Sequence, residues 1–121
     1  MPYIEKQLTG ITKYQRESGM WRTVLDGEWT YDEASSAYGF GYGILKGVRL
    51  GVIDKKHLSL VEKMTDSLIA NIDDTGRVHN ISAGTPVMRT EGEYDIICQH
   101  RMQPWGQGLA LMFLTEILKT I

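Results

Sequence analysis

An indole and a guanidinium stand side by side at Trp21 and Arg22, in the segment after the first predicted helix. An exposed indole can stack on the face of a sugar ring, and a guanidinium binds a carboxylate through charge-assisted hydrogen bonds. The pair would therefore suit an acidic sugar in an aromatic-lined pocket. The structural alternative is that Trp21 fills an opening of the fold and contacts no ligand, and the sequence does not decide between the two.

Glu33 and Ser35 lie in the sequence YDEASSAY at the start of a second predicted helix, which Asp32 is expected to cap. A carboxylate at this position can bond sugar hydroxyls or fix a neighbouring loop. It can also hold free backbone amides, an arrangement that the helix dipole favours, and we prefer this structural interpretation. Because the dipole stabilises the ionised carboxylate, Glu33 is a poor candidate for a general acid.

Two further groups of candidates lie near the C-terminus. Arg89 belongs to an irregular stretch, 82–103, of the kind that often carries adaptable ligand contacts. It could bind an anionic sugar, or it could pair with a neighbouring glutamate. Trp105 and Gln107 stand at the start of the last predicted helix, whose free N–H groups favour an anion. The equal alternative is that Trp105 is a hydrophobic plug after Pro104.

The histidines and the lone cysteine lack the spacing of a metal site. His57, His79 and His100 are scattered along the chain, so each is expected to be solvated or structural, and no metal is expected. Cys98 has no second cysteine with which to form an internal disulfide.

Composition restricts the class of protein. The chain has 121 residues, enough for one domain, residues 1–121, with its own core. Its net charge is −2 and it has no basic block, so nucleic acid is not an expected partner. The sequence shows neither an apolar run that could cross a membrane nor a signal peptide, which favours a cytoplasmic protein without a membrane partner.

Apolar periodicity predicts an all-α chain. Helices are expected over four ranges: 3–17, 32–50, 55–71 and 106–119. Asp54 is the expected cap of the third helix, and Asp74 to Gly76 suits a tight turn between two short extended pieces. The stretch from Tyr94 to Cys98 is either a short strand or an apolar anchor.

The second predicted helix carries a stripe of four glycines spaced by four: Gly39, Gly43, Gly47 and Gly51. Each glycine inside a helix costs roughly 1 kcal/mol relative to alanine, so this helix must gain its stability from tertiary contacts. We expect neighbouring helices to pack tightly against the bare face. Membrane dimers also use small residues at this spacing, but the intervening Lys46 and Arg49 argue against that interpretation.

Four segments follow one another in a characteristic order: KYQRESGMWRTVLD, YDEASSAYGFGYGILKGVRLG, DDTGRVHNISAGTPV and WGQGLALMFLTEIL. Together they resemble the C-terminal part of glycoside hydrolase family 105, the unsaturated rhamnogalacturonyl hydrolases. The unsaturated glucuronyl hydrolases of family 88 are related. Each segment is a weak signal alone, but their order over residues 11–118 makes the resemblance fairly specific.

The resemblance implies a six-hairpin α/α toroid with long irregular loops and the active site at one mouth. It also implies the reaction. A carboxylic acid protonates the C4=C5 double bond of an unsaturated uronic sugar, and water adds to the resulting cation. The hemiketal then collapses and releases the neighbouring sugar. No cofactor takes part in such a scheme.

In the family, the general-acid aspartate and other residues of the sugar pocket precede the part that this chain resembles. We therefore expect a truncated chain that is inactive alone. Its apolar faces would be covered by the missing N-terminal part or by further copies in a homo-oligomer. The alternative function is a non-catalytic helical remnant that binds carbohydrate or serves assembly.

The catalytic residues are therefore unassigned at this stage. The expected ligand is an unsaturated uronic oligosaccharide from pectin degradation. Seven residues are expected to contact it: Trp21, Arg22, Glu33, Ser35, Arg89, Trp105 and Gln107.

Overall fold

The computed structural model describes residues 2–120, which form four α-helices joined by irregular segments. The α-helices are α1 (Pro2–Tyr14), α2 (Ala34–Arg49), α3 (Leu58–Ala70) and α4 (Pro104–Thr120). Two 3-10 helices span Lys55–His57 and Glu91–Ile96. Between residues 2 and 120 extended pairing is limited to isolated bridges, so the all-α prediction is confirmed. No helix among those described is both long and apolar enough to span a membrane.

The central element is α2, which packs against both α3 and α4. The approach to α4 is close because Gly41 has no side chain: a Cβ there would lie 2.5 Å from the ring of Phe113. Phe113 and Tyr38 are fully buried and meet edge to face, with ring centroids 5.8 Å apart. Tyr38 also donates its hydroxyl hydrogen to the Leu68 carbonyl of α3 at 2.6 Å. One turn of α2 therefore contacts both partner helices.

The glycine stripe of α2 does not receive the neighbouring helices as predicted. A Cβ on Gly43 would meet nothing within 4 Å, and one on Gly39 would only reach α4 at 3.9 Å. Gly47 is crowded by Ile53 of the following loop and not by another helix. Spacing by four identifies a bare stripe but not the side of the helix that faces the core. The glycine that faces α4 closely is Gly41, which lies outside the stripe.

The start of α2 is capped by a different residue from the one predicted. Glu33, in extended conformation, accepts hydrogen bonds from the backbone N–H groups of Ser35 and Ser36. Asp32 instead pairs with Arg16, so its carboxylate is directed away from the helix. The prediction that Asp32 caps the helix is wrong, and so is the predicted start at 32.

The C-terminal end of α2 is a Schellman motif. The N–H of Gly51 donates to the Val48 carbonyl at 3.0 Å, and the N–H of Val52 donates to the Gly47 carbonyl at 2.9 Å. Gly51 has a φ of +72°, a conformation that glycine adopts freely and most other residues do not. Gly51 therefore ends the helix and is not part of its packing face.

The other helices agree with the predicted ranges in their interiors and differ at their ends. The first helix ends at Tyr14 and not at 17. Asp54 accepts a hydrogen bond from the Lys56 N–H at 2.8 Å and so caps the 3-10 helix Lys55–His57. The α-helix that follows begins at Leu58 and not at 55, so Asp54 does not cap α3 itself. The last helix begins at Pro104 and not at 106, because the fixed φ of proline suits the first position of a helix.

The predicted tight turn at residues 74–76 is confirmed. Ile72 and Val78 form an antiparallel bridge on either side of it. The N–H of Gly76 donates to the Asp73 carbonyl at 2.9 Å, and Gly76 has a φ of +82°. The Asp73 side chain accepts hydrogen bonds inside the same turn, including one from the Thr75 N–H at 2.9 Å. These contacts define a short hairpin between α3 and the irregular stretch.

The prediction of a short strand from Tyr94 to Cys98 is wrong, since Glu91–Ile96 forms a 3-10 helix. A strand needs a neighbour with which to pair, and the backbone contact here is one hydrogen bond, from the Ala83 N–H to the Cys98 carbonyl at 2.7 Å. The alternative of an apolar anchor is confirmed for Ile97, which is buried.

The segment after α1 approaches the backbone of α3 closely. Gly19 has a φ of +80°, and a Cβ on it would lie 2.5 Å from the Met64 Cα and overlap the Lys63 carbonyl oxygen. Gln15 adds a polar contact, because its Nε2 donates to the Leu60 carbonyl of α3 at 2.9 Å. The two backbones meet at a distance that only glycine permits.

An ion pair between a buried carboxylate and a partly exposed guanidinium joins the C-terminal ends of α2 and α4. The Glu116 carboxylate is 1% exposed and pairs with the Arg49 guanidinium and, at 3.3 Å, with the Lys119 ammonium group. The hydrogen bond from Arg49 lowers the pKa of Glu116 below its ordinary value; burial opposes this effect and Lys119 reinforces it. The same hydrogen bond raises the pKa of Arg49. The charged pair is therefore the form that the fold stabilises.

Replacing Gly19 by alanine should destabilise the chain by about 2–4 kcal/mol, because the new methyl group collides with backbone atoms and the positive φ becomes strained. Gly76→Ala is the matched control: its φ is also positive, but the surrounding space is open, so only strain of about 1–2 kcal/mol is expected. Urea unfolding followed by circular dichroism measures both losses. Equal losses would contradict the close contact with α3.

Acid should destabilise the fold partly through Glu116. Because its folded-state pKa lies below the ordinary value of 4.5, its stabilisation is complete above that value and is lost as the pH falls through the folded-state pKa. Glu116→Gln should therefore reduce the fall in unfolding free energy between about pH 7 and about pH 3, measured by urea titration at each pH.

The reduction is expected to be partial, because a second carboxylate also contributes to the loss of stability in acid. Hydrogen bonds from Thr75 and His79 lower the pKa of Asp73. The exposed Glu28→Gln is the control, and its pH dependence should match that of the unmodified chain. A Glu116→Gln variant with the same pH dependence as the unmodified chain would show that the buried pair does not contribute.

Candidate functional site

A pocket of about 490 Å³ opens where the loop after Trp21, the start of α2 and the start of α4 meet. Four of the predicted site residues line it: Arg22, Glu33, Ser35 and Trp105. Side chains outside the predicted set complete its wall: Leu25, Ser36, Phe40, Ser82, Thr85 and Tyr94. The pocket therefore brings together distant parts of the chain.

Arg22 is the cation of this pocket. Its backbone forms an isolated bridge with Asp32, which fixes it beside the start of α2. Its Nε is buried and finds no hydrogen-bond partner among residues 2–120. The ion pairs of this described part involve other cations. A guanidinium without a counter-charge, at the wall of a pocket, is suited to bind a carboxylate.

Glu33 is buried and its carboxylate is fully engaged by protein donors. It accepts hydrogen bonds from the Ser36 N–H at 2.9 Å, the Ser35 N–H at 3.2 Å and the Ser35 hydroxyl at 2.8 Å. A fourth donor is the Ser82 N–H, at 3.1 Å. The preferred interpretation is therefore confirmed: Glu33 holds backbone amides, and it also fixes a neighbouring loop. Ser35 serves the same arrangement from within the pocket wall.

The loop 82–85 forms the opposite wall and is tied down at Ser82. Besides the bond to Glu33, the Ser82 hydroxyl shares a hydrogen bond with the Tyr31 hydroxyl at 2.5 Å. The Ala83 N–H donates to the Cys98 carbonyl at 2.7 Å, which attaches the loop to the irregular stretch. This wall is therefore positioned by hydrogen bonds from residues that are distant in sequence.

Trp105 lies at the start of α4 and is 45% exposed. It lines the pocket, so it is not the buried plug of the alternative interpretation. The next residue, Gly106, allows α4 to approach the preceding loop, since a Cβ there would lie 2.5 Å from Ile81. An indole held in this way presents an apolar surface to a ligand in the pocket.

Trp21 does not line the pocket, and the expectation of an exposed indole is wrong. The side chain is fully buried, and its Nε1 donates to the Ile11 carbonyl of α1 at 2.7 Å. Its ring meets Phe40 edge to face, with centroids 5.0 Å apart. The indole N–H thus pairs with a carbonyl group in the last turn of α1. The ring packs against Phe40, which does line the pocket.

Gln107 and Arg89 also lie outside the lining of the pocket. The Gln107 side chain accepts from the Val78 N–H at 2.6 Å and donates to the Gly76 carbonyl at 3.0 Å, so it attaches the hairpin to α4. Arg89 is exposed, and its backbone N–H donates to the Glu93 carboxylate at 2.9 Å. Gln107 therefore has structural contacts where a ligand contact was expected, whereas the Arg89 guanidinium forms no ion pair with a neighbouring glutamate among residues 2–120.

The histidines lie apart from this pocket. His79 shares a hydrogen bond with Asp73 at 2.6 Å, His57 faces Glu5 at 3.4 Å, and His100 is exposed. Across residues 2–120 no three side chains of His, Cys, Asp or Glu are grouped as metal ligands would be.

Sequence reasoning missed the loop 82–85 and Phe40 as parts of the pocket. The loop lies within one of the segments that carry the family resemblance, but no residue in it was selected. The bond that places it joins Glu33 to Ser82 across 49 positions. Phe40 reaches the pocket only because Trp21 occupies the core beneath it. Local spacing carries no signal for either contact.

The chemistry available in the pocket is recognition of an anion attached to a ring. Arg22 supplies the positive charge, while Trp105 and Phe40 supply apolar surface. Among the lining residues of the described chain, Glu33 is the only carboxyl group, and its oxygen atoms are occupied by protein donors. The pocket is therefore equipped to bind such a ligand and lacks a free proton donor of this type.

Comparison with known proteins identifies the family. The model of Glycosyl Hydrolase Family 88 matches residues 1–121. The chain is 35% identical over 117 residues to the unsaturated rhamnogalacturonyl hydrolase YesR of Bacillus subtilis, strain 168. That alignment covers 97% of this chain and 32% of YesR, so the chain spans less than half of that relative.

Solved structures show the same relationship. A possible member of the GH105 family from Salmonella enterica serovar Paratyphi A matches with a TM-score of 0.88 and 35% identity, over 94% of this chain and 30% of that one. A possible GH105 member from Klebsiella pneumoniae matches with a TM-score of 0.87, 35% identity and the same coverage.

A family 88 hydrolase from Bacteroides vulgatus has a TM-score of 0.78 at 22% identity, over 97% of this chain and 34% of that one, and supports the fold alone. The helices thus have the arrangement of part of an α/α toroid, and the resemblance carried by the four sequence segments is confirmed. Since the family model matches residues 1–121, this chain belongs to Glycosyl Hydrolase Family 88.

Proposed function

We propose that this chain forms one wall of the sugar site of a glycosidase that cleaves the terminal unsaturated uronic acid from pectin-derived rhamnogalacturonan oligosaccharides. The observation that carries the proposal is the Arg22 guanidinium, which lines the pocket beside aromatic side chains and has no counter-charge among residues 2–120. A uronic sugar has the matching chemistry, since it places a carboxylate on a ring. The relative YesR is an unsaturated rhamnogalacturonyl hydrolase, which supports this substrate class.

Each pocket residue has a defined task in this proposal. Arg22 binds the uronate carboxylate through charge-assisted hydrogen bonds. Trp105 and Phe40 contact the apolar face of the ring. Glu33 and Ser35 are positioning residues, because their polar atoms hold the start of α2 and the loop at Ser82.

The reaction requires a carboxylic acid that protonates the C4=C5 double bond before water adds and the hemiketal collapses. Glu33 is unsuited to this step, because its oxygen atoms are occupied by hydrogen bonds from backbone amides and from the Ser35 hydroxyl. In this proposal the proton donor lies in the part of the toroid that this chain does not span. The chain covers 32% of YesR, which leaves room for such a part.

A second function is favoured by the same absence of a free acid in the described pocket. The chain would then bind carbohydrate, or serve assembly, without catalysing a reaction. Saturable binding of an unsaturated rhamnogalacturonan disaccharide with no loss of its enol-ether absorbance would support this second function. Turnover by the chain alone would contradict it and would also contradict the absence of the acid.

Arg22→Gln should weaken binding of this disaccharide by about 10- to 100-fold, since it removes a charge-assisted interaction while keeping similar size. Isothermal titration calorimetry measures the affinity. Arg89→Gln is the matched control: it removes the same charge from an exposed residue outside the pocket and should leave the affinity unchanged. An equal effect of the two substitutions would mean that only net charge matters, and the pocket assignment would be lost.

The partner proposed for the apolar surfaces is the remaining part of the toroid or further copies of this chain. Leu111 and Leu118 are exposed on α4, and Ile69 is exposed on α3. Apolar patches on a soluble protein mark surfaces that associate. Light scattering of the purified chain should show a mass above that of the monomer. A clean monomer with a sharp cooperative melt would contradict this assembly proposal.

A further inference from the structure

One exposed aromatic side chain, on a loop that contributes to the pocket wall, has no task in the proposed function. Trp29 is 53% exposed and lies on the loop 23–31, between Arg22 and the start of α2. Thr23 and Leu25 of the same loop line the pocket. We infer that the exposed face of Trp29 is a stacking platform for the sugar ring that is linked to the uronate held at Arg22.

The orientation of the indole is set by a glycine. A Cβ on Gly27 would lie 3.1 Å from Cζ2 of Trp29, so the six-membered part of the indole rests directly on bare backbone. The same Cβ would lie 3.1 Å from the Val24 Cβ, which shows that Val24 packs from the other direction. Atoms Cζ2 and Cη2 of the indole are thereby used for packing, and the exposed fraction of the side chain remains for a ligand.

The loop that carries Trp29 is rigid, because the buried Thr30 side chain bonds it internally. The Thr30 hydroxyl donates to the Gly27 carbonyl at 3.0 Å and accepts from the Val24 N–H at 3.3 Å. The Gly27 N–H donates to the Val24 carbonyl at 3.0 Å. An exposed indole on a pre-ordered loop loses little conformational freedom when a ligand binds, which favours a role in recognition.

The chemistry of the proposed reaction provides a use for such a second surface. A glycosidase acts on a bond between two rings, so a uronate held at Arg22 carries a neighbouring ring that can have a contact surface of its own. Leu25 belongs to that wall, and the loop continues from it to Trp29. Sugar rings have apolar C–H faces that stack on indoles, so the platform suits a neutral ring without a charged partner.

This inference rests on the proposed function. Two ligands distinguish a failure of the stacking platform from a failure of the proposed function. The first is the methyl glycoside of the unsaturated uronate, which has one ring. The second is the unsaturated rhamnogalacturonan disaccharide, which adds the neighbouring ring. Calorimetry with the full chain should show that Trp29→Ala weakens binding of the disaccharide about tenfold and leaves binding of the methyl glycoside unchanged.

Trp29→Phe should recover part of the lost affinity, because a smaller aromatic ring keeps part of the stacking surface. Tyr3→Ala is the matched control, since it removes an exposed aromatic side chain from α1 and should change neither affinity. The circular dichroism spectrum and the urea midpoint of Trp29→Ala should stay close to those of the unmodified chain, which shows that the loop remains folded.

The possible failures are distinguishable. If the unmodified chain binds both ligands and Trp29→Ala weakens both equally or neither, the platform is refuted while the uronate site stands. If the unmodified chain binds neither ligand, the proposed function is refuted and the platform is refuted with it.

Discussion

The pocket and the central helix both depend on the carboxylate of Glu33. Its oxygen atoms accept from the N–H groups at the start of α2, and they also accept from the Ser82 N–H across 49 positions of sequence. The unpaired amides and partial positive charge at a helix start stabilise an ionised carboxylate. One buried side chain therefore begins the helix and fixes the opposite wall of the pocket. The oxygen atoms of this carboxylate are thus occupied by structural hydrogen bonds although the residue lines the pocket.

Close approach of helices depends on bare backbone at positions that the glycine spacing did not identify. Gly41 lets Phe113 of α4 lie against α2, and Gly19 lets the segment after α1 lie against α3. Glycine lowers helix propensity by about 1 kcal/mol, so α2 gains its stability from these contacts and not from local preference. The stripe of Gly39 and Gly43 has no close contact, and a cavity of about 300 Å³ separates it from residues of α1 such as Leu8 and Ile11.

The arginines of the described structure differ in their charge pairing. Arg49 is neutralised by buried Glu116, and Arg16 is neutralised by Asp32. Arg22 has no such counter-charge among residues 2–120, although its Nε is buried. A buried polar atom without a partner is costly unless a ligand satisfies it. Arg77 also has a buried Nε without a partner, but it does not line the pocket. The position of Arg22 in the pocket wall, together with family membership, is therefore the basis for assigning an anionic sugar to the pocket.

The sequence by itself determined the all-α class, the helix interiors, the turn at 74–76 and the family, because these depend on local periodicity and on ordered motifs. It also identified four residues that line the pocket: Arg22, Glu33, Ser35 and Trp105. Only the tertiary structure decided that Trp21 is buried and that Gln107 holds a hairpin. Their partners are distant in sequence or belong to another element, and the direction of a side chain depends on those partners and not on its own spacing.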